Sequence, residues 1–270
     1  MYSVEKTTIL SQNIRKLTLE MVYKAKASHI GGALSMADLL AILYSSILKF
    51  EAHNPNWEQR DRFLLSKGHA CTSLYAILAL CDFFPISLLD EYGTDGTLLL
   101  SHTSNKIPGV ELSTGSLGHA LPVGCGLALA AKRKEKNYNT YVLVSDGELD
   151  EGSNWEAILF APQHKLDNLI LIVDYNKIQS LGTVEQVINL ESLSKKFEAF
   201  NWEVFEIDGH NHSQIYETLN SIQKNTKPKV VIAHTIKGKG IDFMENKLLW
   251  HYKSPLEQEF NDGINQLMNN

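Results

Sequence analysis

Tyr141-Val142-Leu143-Val144-Ser145-Asp146-Gly147 decides the fold: an apolar run that stops at a small residue, a carboxylate and a glycine. A second run, Leu169 to Val173, ends in Asp174-Tyr175-Asn176-Lys177-Ile178, with Asn176 thirty residues after Asp146. Short runs of this kind read as strands buried on both faces. Two such strands deliver one carboxylate and one amide oxygen to the same edge of a sheet. Hard oxygen ligands suit Mg²⁺ or Ca²⁺, and Mg²⁺ usually binds through one or two protein oxygens plus ligand phosphates. Gly147 allows a backbone to approach a phosphate closely. The pattern reads as a clamp for a metal and a diphosphate.

Outward from this pair, the chain alternates. Ile9, Ile14, Leu17, Met21 and Val22 recur at helical spacing, as do Leu39, Leu40, Leu43 and Ile47, with Ser28-His29-Ile30-Gly31-Gly32-Ala33 breaking the pattern between them. Residues 62–65 read as a short strand ending at Ser66-Lys67-Gly68-His69, and 72–80 as an apolar helix. Residues 93–116 are rich in Gly, Ser, Thr and Pro, too long for a plain connector and therefore expected to be functional. The periodicity then predicts helices over 124–131, from about 154, around 190–199 and over 212–224, with strands at 140–145, 168–174, 202–207 and 229–235. Pro162 interrupts a helical stretch and predicts a kink or an early helix end. The expected fold is α/β, a mostly parallel sheet with helices on both faces, in a single domain over residues 1–270. Such sheets bind ligands beyond the carboxyl ends of their strands.

Bulk properties exclude several functions. The net charge of −6, with no block of Lys and Arg to reverse it, argues against a nucleic-acid surface, and Lys132-Arg133-Lys134-Glu135-Lys136 reads as a solvated helix end. The apolar fraction of 44% is that of a globular chain with a real core. No run approaches the roughly 18 apolar residues of a membrane span. Three cysteines, Cys71, Cys81 and Cys125, without metal spacing or a signal peptide, fit a reducing cytoplasm.

The run from Ser145 through Glu148-Leu149-Asp150-Glu151-Gly152-Ser153-Asn154-Trp155-Glu156-Ala157, closed by Asp174 to Ile178, resembles the thiamine-diphosphate motif of transketolases. Four further blocks agree in order and spacing: Ala27 to Gly32, Leu65 to His69, Pro108-Gly109-Val110-Glu111 to Gly118, and Lys237-Gly238-Lys239-Gly240 to Trp250-His251. The resemblance implies the thiamine-diphosphate-binding (PP-domain) fold. It covers the cofactor-diphosphate half of a transketolase, which implies the amino-terminal subunit of a split enzyme whose pyrimidine-binding domain is a separate chain, in a two-fold heterotetramer. It implies ketol transfer between small sugars or sugar phosphates, with thiamine diphosphate and Mg²⁺ (or Ca²⁺) as cofactors.

Roles follow position by position. Asp146, Asn176 and the Ile178 carbonyl match metal ligands, and the Gly147 amide matches the one that meets the diphosphate. His69 and His251 match histidines beside it, while His29 and His102 match histidines near the thiazolium and the substrate hydroxyls. Gly115 and Leu117 match the segment touching the aminopyrimidine. Glu151 and Glu156 match buried acids that join two active sites across a dimer interface. Ser153 and Glu156 also have the spacing of a capping box, an alternative role for Glu156. His119, His164, His210, His212 and His234 are expected to be structural or exposed. Departures from the family are Ser145 for glycine, His119 for glutamine, and a short loop Thr103-Ser104-Asn105-Lys106. Two alternatives stand beside this reading: the α subunit of a 2-oxo-acid or acetoin dehydrogenase, and a non-catalytic orphan subunit.

Overall fold

In the computed structural model, which describes residues 2–223 and 225–269, the chain builds one five-stranded sheet. A long first helix, α1 (Val4–Lys24), is followed by two short ones, α2 (Ile30–Ser35) and α3 (Ala37–Ile42). Strand β1 (Arg62–Leu65) and helix α4 (Cys71–Leu80) come next, then a long loop and α5 (Ala120–Arg133). Strand β2 (Thr140–Ser145), α6 (Gly152–Gln163) and β3 (Leu169–Tyr175) carry the two runs that set the sequence reading. The remainder runs α7 (Val184–Val187), α8 (Leu193–Ala199), β4 (Glu203–Asp208), α9 (His212–Ser221), β5 (Lys229–His234) and α10 (Glu257–Asn269). The strands pair in the order β1-β2-β3-β5-β4, every pair parallel.

Period-two alternation divides the strands between two cores. Tyr141 and Leu143, Ile170 and Ile172, and Val231 and Ala233 face one core, shared with α3, α4 and α9. Val142 and Val144, Leu169, Leu171 and Val173, and Val230 and Ile232 face the other, shared with α5, α6 and α8. That is why these strands read as continuous apolar runs. A third cluster, with Leu19, Ile30, Leu34, Ile241, Trp250 and Leu267, seats α10 against the first two helices.

Several boundaries differ from the sequence expectation, each for a local reason. Helix α5 starts at Ala120 rather than 124, because Pro122 lies in the first turn, where its missing N–H has no intrahelical partner to lose. Helix α6 ends at Gln163, one residue beyond Pro162, as the proline predicts. Pro162 cannot donate to the Ile158 carbonyl, and the Trp202 indole N–H does so instead at 2.8 Å. Helices α7 and α10 are additional elements. In α10, Gly263 interrupts the apolar face because a Cβ there would lie 2.9 Å from Leu19 Cδ2.

One buried charge cluster ties the first core together. Asp38 of α3 accepts from Arg15 Nη1 at 3.0 Å and Nη2 at 2.6 Å, from His210 Nδ1 at 2.7 Å and from His212 Nε2 at 3.1 Å. His210 Nε2 in turn accepts from the Ile236 amide at 2.8 Å. His210 and His212 are thus structural, as expected.

Candidate functional site

The β2–β3 register sets Ser145 beside Asp174, so Asp146 and Asn176 leave the sheet at its carboxyl edge on adjacent strands. There they line a cavity of about 460 Å³. It brings together His29, His69, His102, Gly115, Leu117, Asp146, Gly147, Glu151, Asn176, Ile178 and His251 from widely separated segments of the chain. Glu156 is the exception: it is exposed on α6 beside Leu159 and Phe160, away from the cavity. Within this chain it is therefore not a cavity residue. The capping box is absent too, because Glu151 occupies the N-cap position and Ser153 Oγ donates to the Gly118 carbonyl at 2.7 Å.

The candidate metal ligands converge on their own backbone amides. Asp146, 1% exposed, accepts from the Gly147 amide at 2.7 Å and from the Lys177 amide at 2.6 Å. Asn176 Oδ1 accepts from the Ile178 amide at 3.1 Å, and the Ile178 carbonyl accepts from Lys237 Nζ at 2.8 Å. Burial and the nearby Asp174 push the Asp146 carboxyl up to about 6. One carboxylate, one amide oxygen and one carbonyl make a hard-oxygen set that leaves positions for ligand phosphates, which fits a divalent cation. The Gly147 amide, expected to meet a diphosphate, is turned onto Asp146 instead. To contact an anion it must share that hydrogen.

Four imidazoles face one another above this edge. The His29 ring centroid lies 5.0 Å from that of His69, 5.1 Å from His251 and 6.4 Å from His102. His29 sits at φ 69°, and its amide donates to the His251 carbonyl at 2.9 Å. Gly115 permits the close approach of His102, whose Cδ2 would lie 3.1 Å from a Cβ. Burial lowers His69 to about 2 and His251 to about 3, with Lys67 next for the first and Lys237 for the second, and burial also lowers His29. These three rings are neutral at physiological pH, each offering one N–H and one lone pair.

Sequence reasoning missed the residues that build the floor and walls. Lys67 forms a fully buried ion pair with Asp174 and donates to the Gly32 carbonyl at 2.6 Å. Asp174 also accepts from Ser35 Oγ at 2.5 Å and from Thr235 Oγ1. Glu148 is buried and joins three loops, accepting from Ser66 Oγ, from the Gly118 amide at 2.9 Å and from the Ser145 amide at 3.4 Å. Lys237 holds the Ile178 carbonyl and contacts His251 Nδ1 at 3.0 Å. A signal existed for Asp174, a charge closing an otherwise apolar strand. Lys67 and Lys237 carry no such mark, because their partners lie far away in sequence.

Residues 6–267 match the family of transketolase thiamine diphosphate binding domains. An apulose-4-phosphate transketolase subunit of Phocaeicola vulgatus is 42% identical over 265 residues, spanning 98% of this chain and 94% of that protein. The 6-deoxy-6-sulfo-D-fructose transketolase subunit SqwG of a Clostridium species is 42% identical over 256 residues, covering 94% and 93% respectively. The crystal structure of a Campylobacter jejuni transketolase superposes with a TM-score of 0.93 at 33% identity, over 99% of this chain and 43% of that one. The chain thus spans less than half the length of that solved enzyme.

Proposed function

This chain belongs to the transketolase family, and on that premise we propose that it is the cofactor-binding subunit of a two-component transketolase. It takes part in transfer of a two-carbon ketol unit from a ketose or ketose phosphate to an aldehyde or aldose. The observation that carries the reading is the meeting, in one cavity, of an oxygen donor trio with four histidines. Residues 6–267, which carry all of them, match the thiamine diphosphate binding domain. The names of the close relatives, as transketolase subunits, disfavour both the 2-oxo-acid dehydrogenase alternative and the non-catalytic one.

When bound, thiamine diphosphate supplies the nucleophilic carbon and the electron sink. Asp146, Asn176 and the Ile178 carbonyl would hold Mg²⁺ against the diphosphate. Neutral His29, together with His102, would present N–H donors to the sugar's oxygens and carry protons between them. His69 and His251 would stand beside the diphosphate, their neutrality avoiding a competing ion pair with Asp146. Gly115 and Leu117 would wall the aminopyrimidine end. Glu151 lines the cavity at the foot of α6 and would face the second active site of an assembly, with Glu156 on the outer surface of the same helix.

The partner in this proposal is the pyrimidine-binding chain, in a heterotetramer with two copies of each. Leu181 and Tyr252 line the cavity yet are 78% and 59% exposed, an apolar rim that a second chain would cover. Among the described residues no helix is long and apolar enough to cross a membrane. Free Cys71, Cys81 and Cys125 suit the cytoplasmic setting we assign. A single domain over residues 1–270 is part of the same reading.

The test is reconstitution. The purified chain, its cognate second subunit, Mg²⁺ and thiamine diphosphate are mixed, and transfer from a ketose donor is followed by a coupled assay. Turnover is expected only with both chains present. Full transfer by this chain alone, or pyruvate-dependent chemistry in place of ketol transfer, would overturn the proposal.

A further inference from the structure

We propose that Gln179 is an additional diphosphate-binding residue, donating through Nε2 to a phosphate oxygen. The inference rests on the cofactor reading above and extends it to one residue outside the metal trio and the histidines.

Gln179 is 6% exposed, lines the cavity, and its Nε2 makes no hydrogen bond to any described residue. A buried amide donor left without an acceptor is costly. Its place in the cavity is set by packing. A Cβ on Gly147 would lie 3.1 Å from Gln179 Cγ, 3.3 Å from its Cβ and 3.4 Å from its Cδ, so the side chain lies flat over the glycine. Its main chain is pinned on both sides, the amide to the Gly182 carbonyl at 2.8 Å and the carbonyl to Lys237 Nζ at 3.2 Å. An unpaired donor on a side chain packed over Gly147, in the cavity that Asp146 also lines, is placed for the ligand's anionic end.

The experiment uses the two-chain complex in Mg²⁺ and measures calorimetric affinities for thiamine diphosphate and for inorganic pyrophosphate, the latter reporting the anionic end alone. Gln179→Met keeps the length and removes the donor; it is expected to weaken both ligands about tenfold, the scale of one hydrogen bond to a charged acceptor. Gln179→Glu sets an acceptor against the diphosphate and is expected to weaken both further. Unfolding midpoints and affinity for the second chain stay at parental values. Parental pyrophosphate affinity in Gln179→Met would overturn the role of Gln179 and leave the cofactor reading standing. Failure of the parent complex to bind thiamine diphosphate would overturn both the inference and the reading beneath it.

Discussion

Asp38→Asn is the sharpest test of how the scaffold holds the site. The carboxylate has two oxygens and four donors: Arg15 Nη1 and His212 Nε2 on Oδ1, Arg15 Nη2 and His210 Nδ1 on Oδ2. Asparagine keeps one acceptor and turns an NH₂ toward the rest, leaving a buried guanidinium without its counter-charge. Removing one partner of a buried pair costs about 3–5 kcal/mol, a large part of the roughly 5–15 kcal/mol that holds a folded domain. The pH dependence has a defined sign. Burial pushes the Asp38 carboxyl up, but Arg15 and the hydrogen bonds from His210 and His212 outweigh it and hold it well below the usual carboxylate range. A depressed group stabilises the fold above its unfolded value, about 3.9, and loses that contribution as pH falls through the folded one. The gap between parent and variant should therefore be full near neutral pH and shrink below about pH 4. Urea unfolding followed by circular dichroism across that range measures it. A cost under about 1 kcal/mol, the value of an ordinary exposed pair, would refute the reasoning, as would a gap that widened in acid.

Asp146→Ala should abolish Mg²⁺-dependent binding of thiamine diphosphate by calorimetry on the complex, and should also cost about 1–3 kcal/mol because the Gly147 and Lys177 amides lose their acceptor. Gly68→Ala would set a Cβ 2.4 Å from the Thr114 carbonyl oxygen, displacing the segment that carries Gly115. A loss of about 3 kcal/mol in thermal or urea unfolding is expected. Trp202→Phe should cost about 1–3 kcal/mol, because Pro162 cannot replace the indole as donor to the Ile158 carbonyl. Faster amide exchange at the end of α6 would accompany it.

The sheet was legible because β2 and β3 are buried on both faces, so their runs carry no polar interruption until the edge. The glycines, histidines and oxygen ligands of the cavity were legible as blocks, each following a strand or opening a helix. Helix α10 was not, since Gly263 breaks the very face that packs on Leu19 and reads as a loop signal. Lys67, Glu148 and Lys237 were not singled out because a buried charge looks like a solvated one until its partner is placed, and the partner of Lys67 is 107 residues away. Glu156 lies in a matching block and, like Glu151, is exposed in the single chain, so the interface role expected for it belongs to an assembly and not to the cavity wall.

The knot beneath the cavity has a consequence for how the protein is made. Ser35 meets Asp174 across 139 residues, and Lys67 meets it across 107. During synthesis the first helices and β1 emerge early, yet Lys67 has no counter-ion until β3 arrives, and Asp174 lacks its Thr235 donor until β5 is complete. Contacts this distant close late, because chain entropy must be lost before they form. The ligand cavity is therefore among the last features to be assembled, and a chain that stalls before β5 presents α2 and β1 with no finished site. Binding competence reports that translation and folding have both run to completion, and a second chain that recognises the finished cavity rim would by the same geometry pass over unfinished copies.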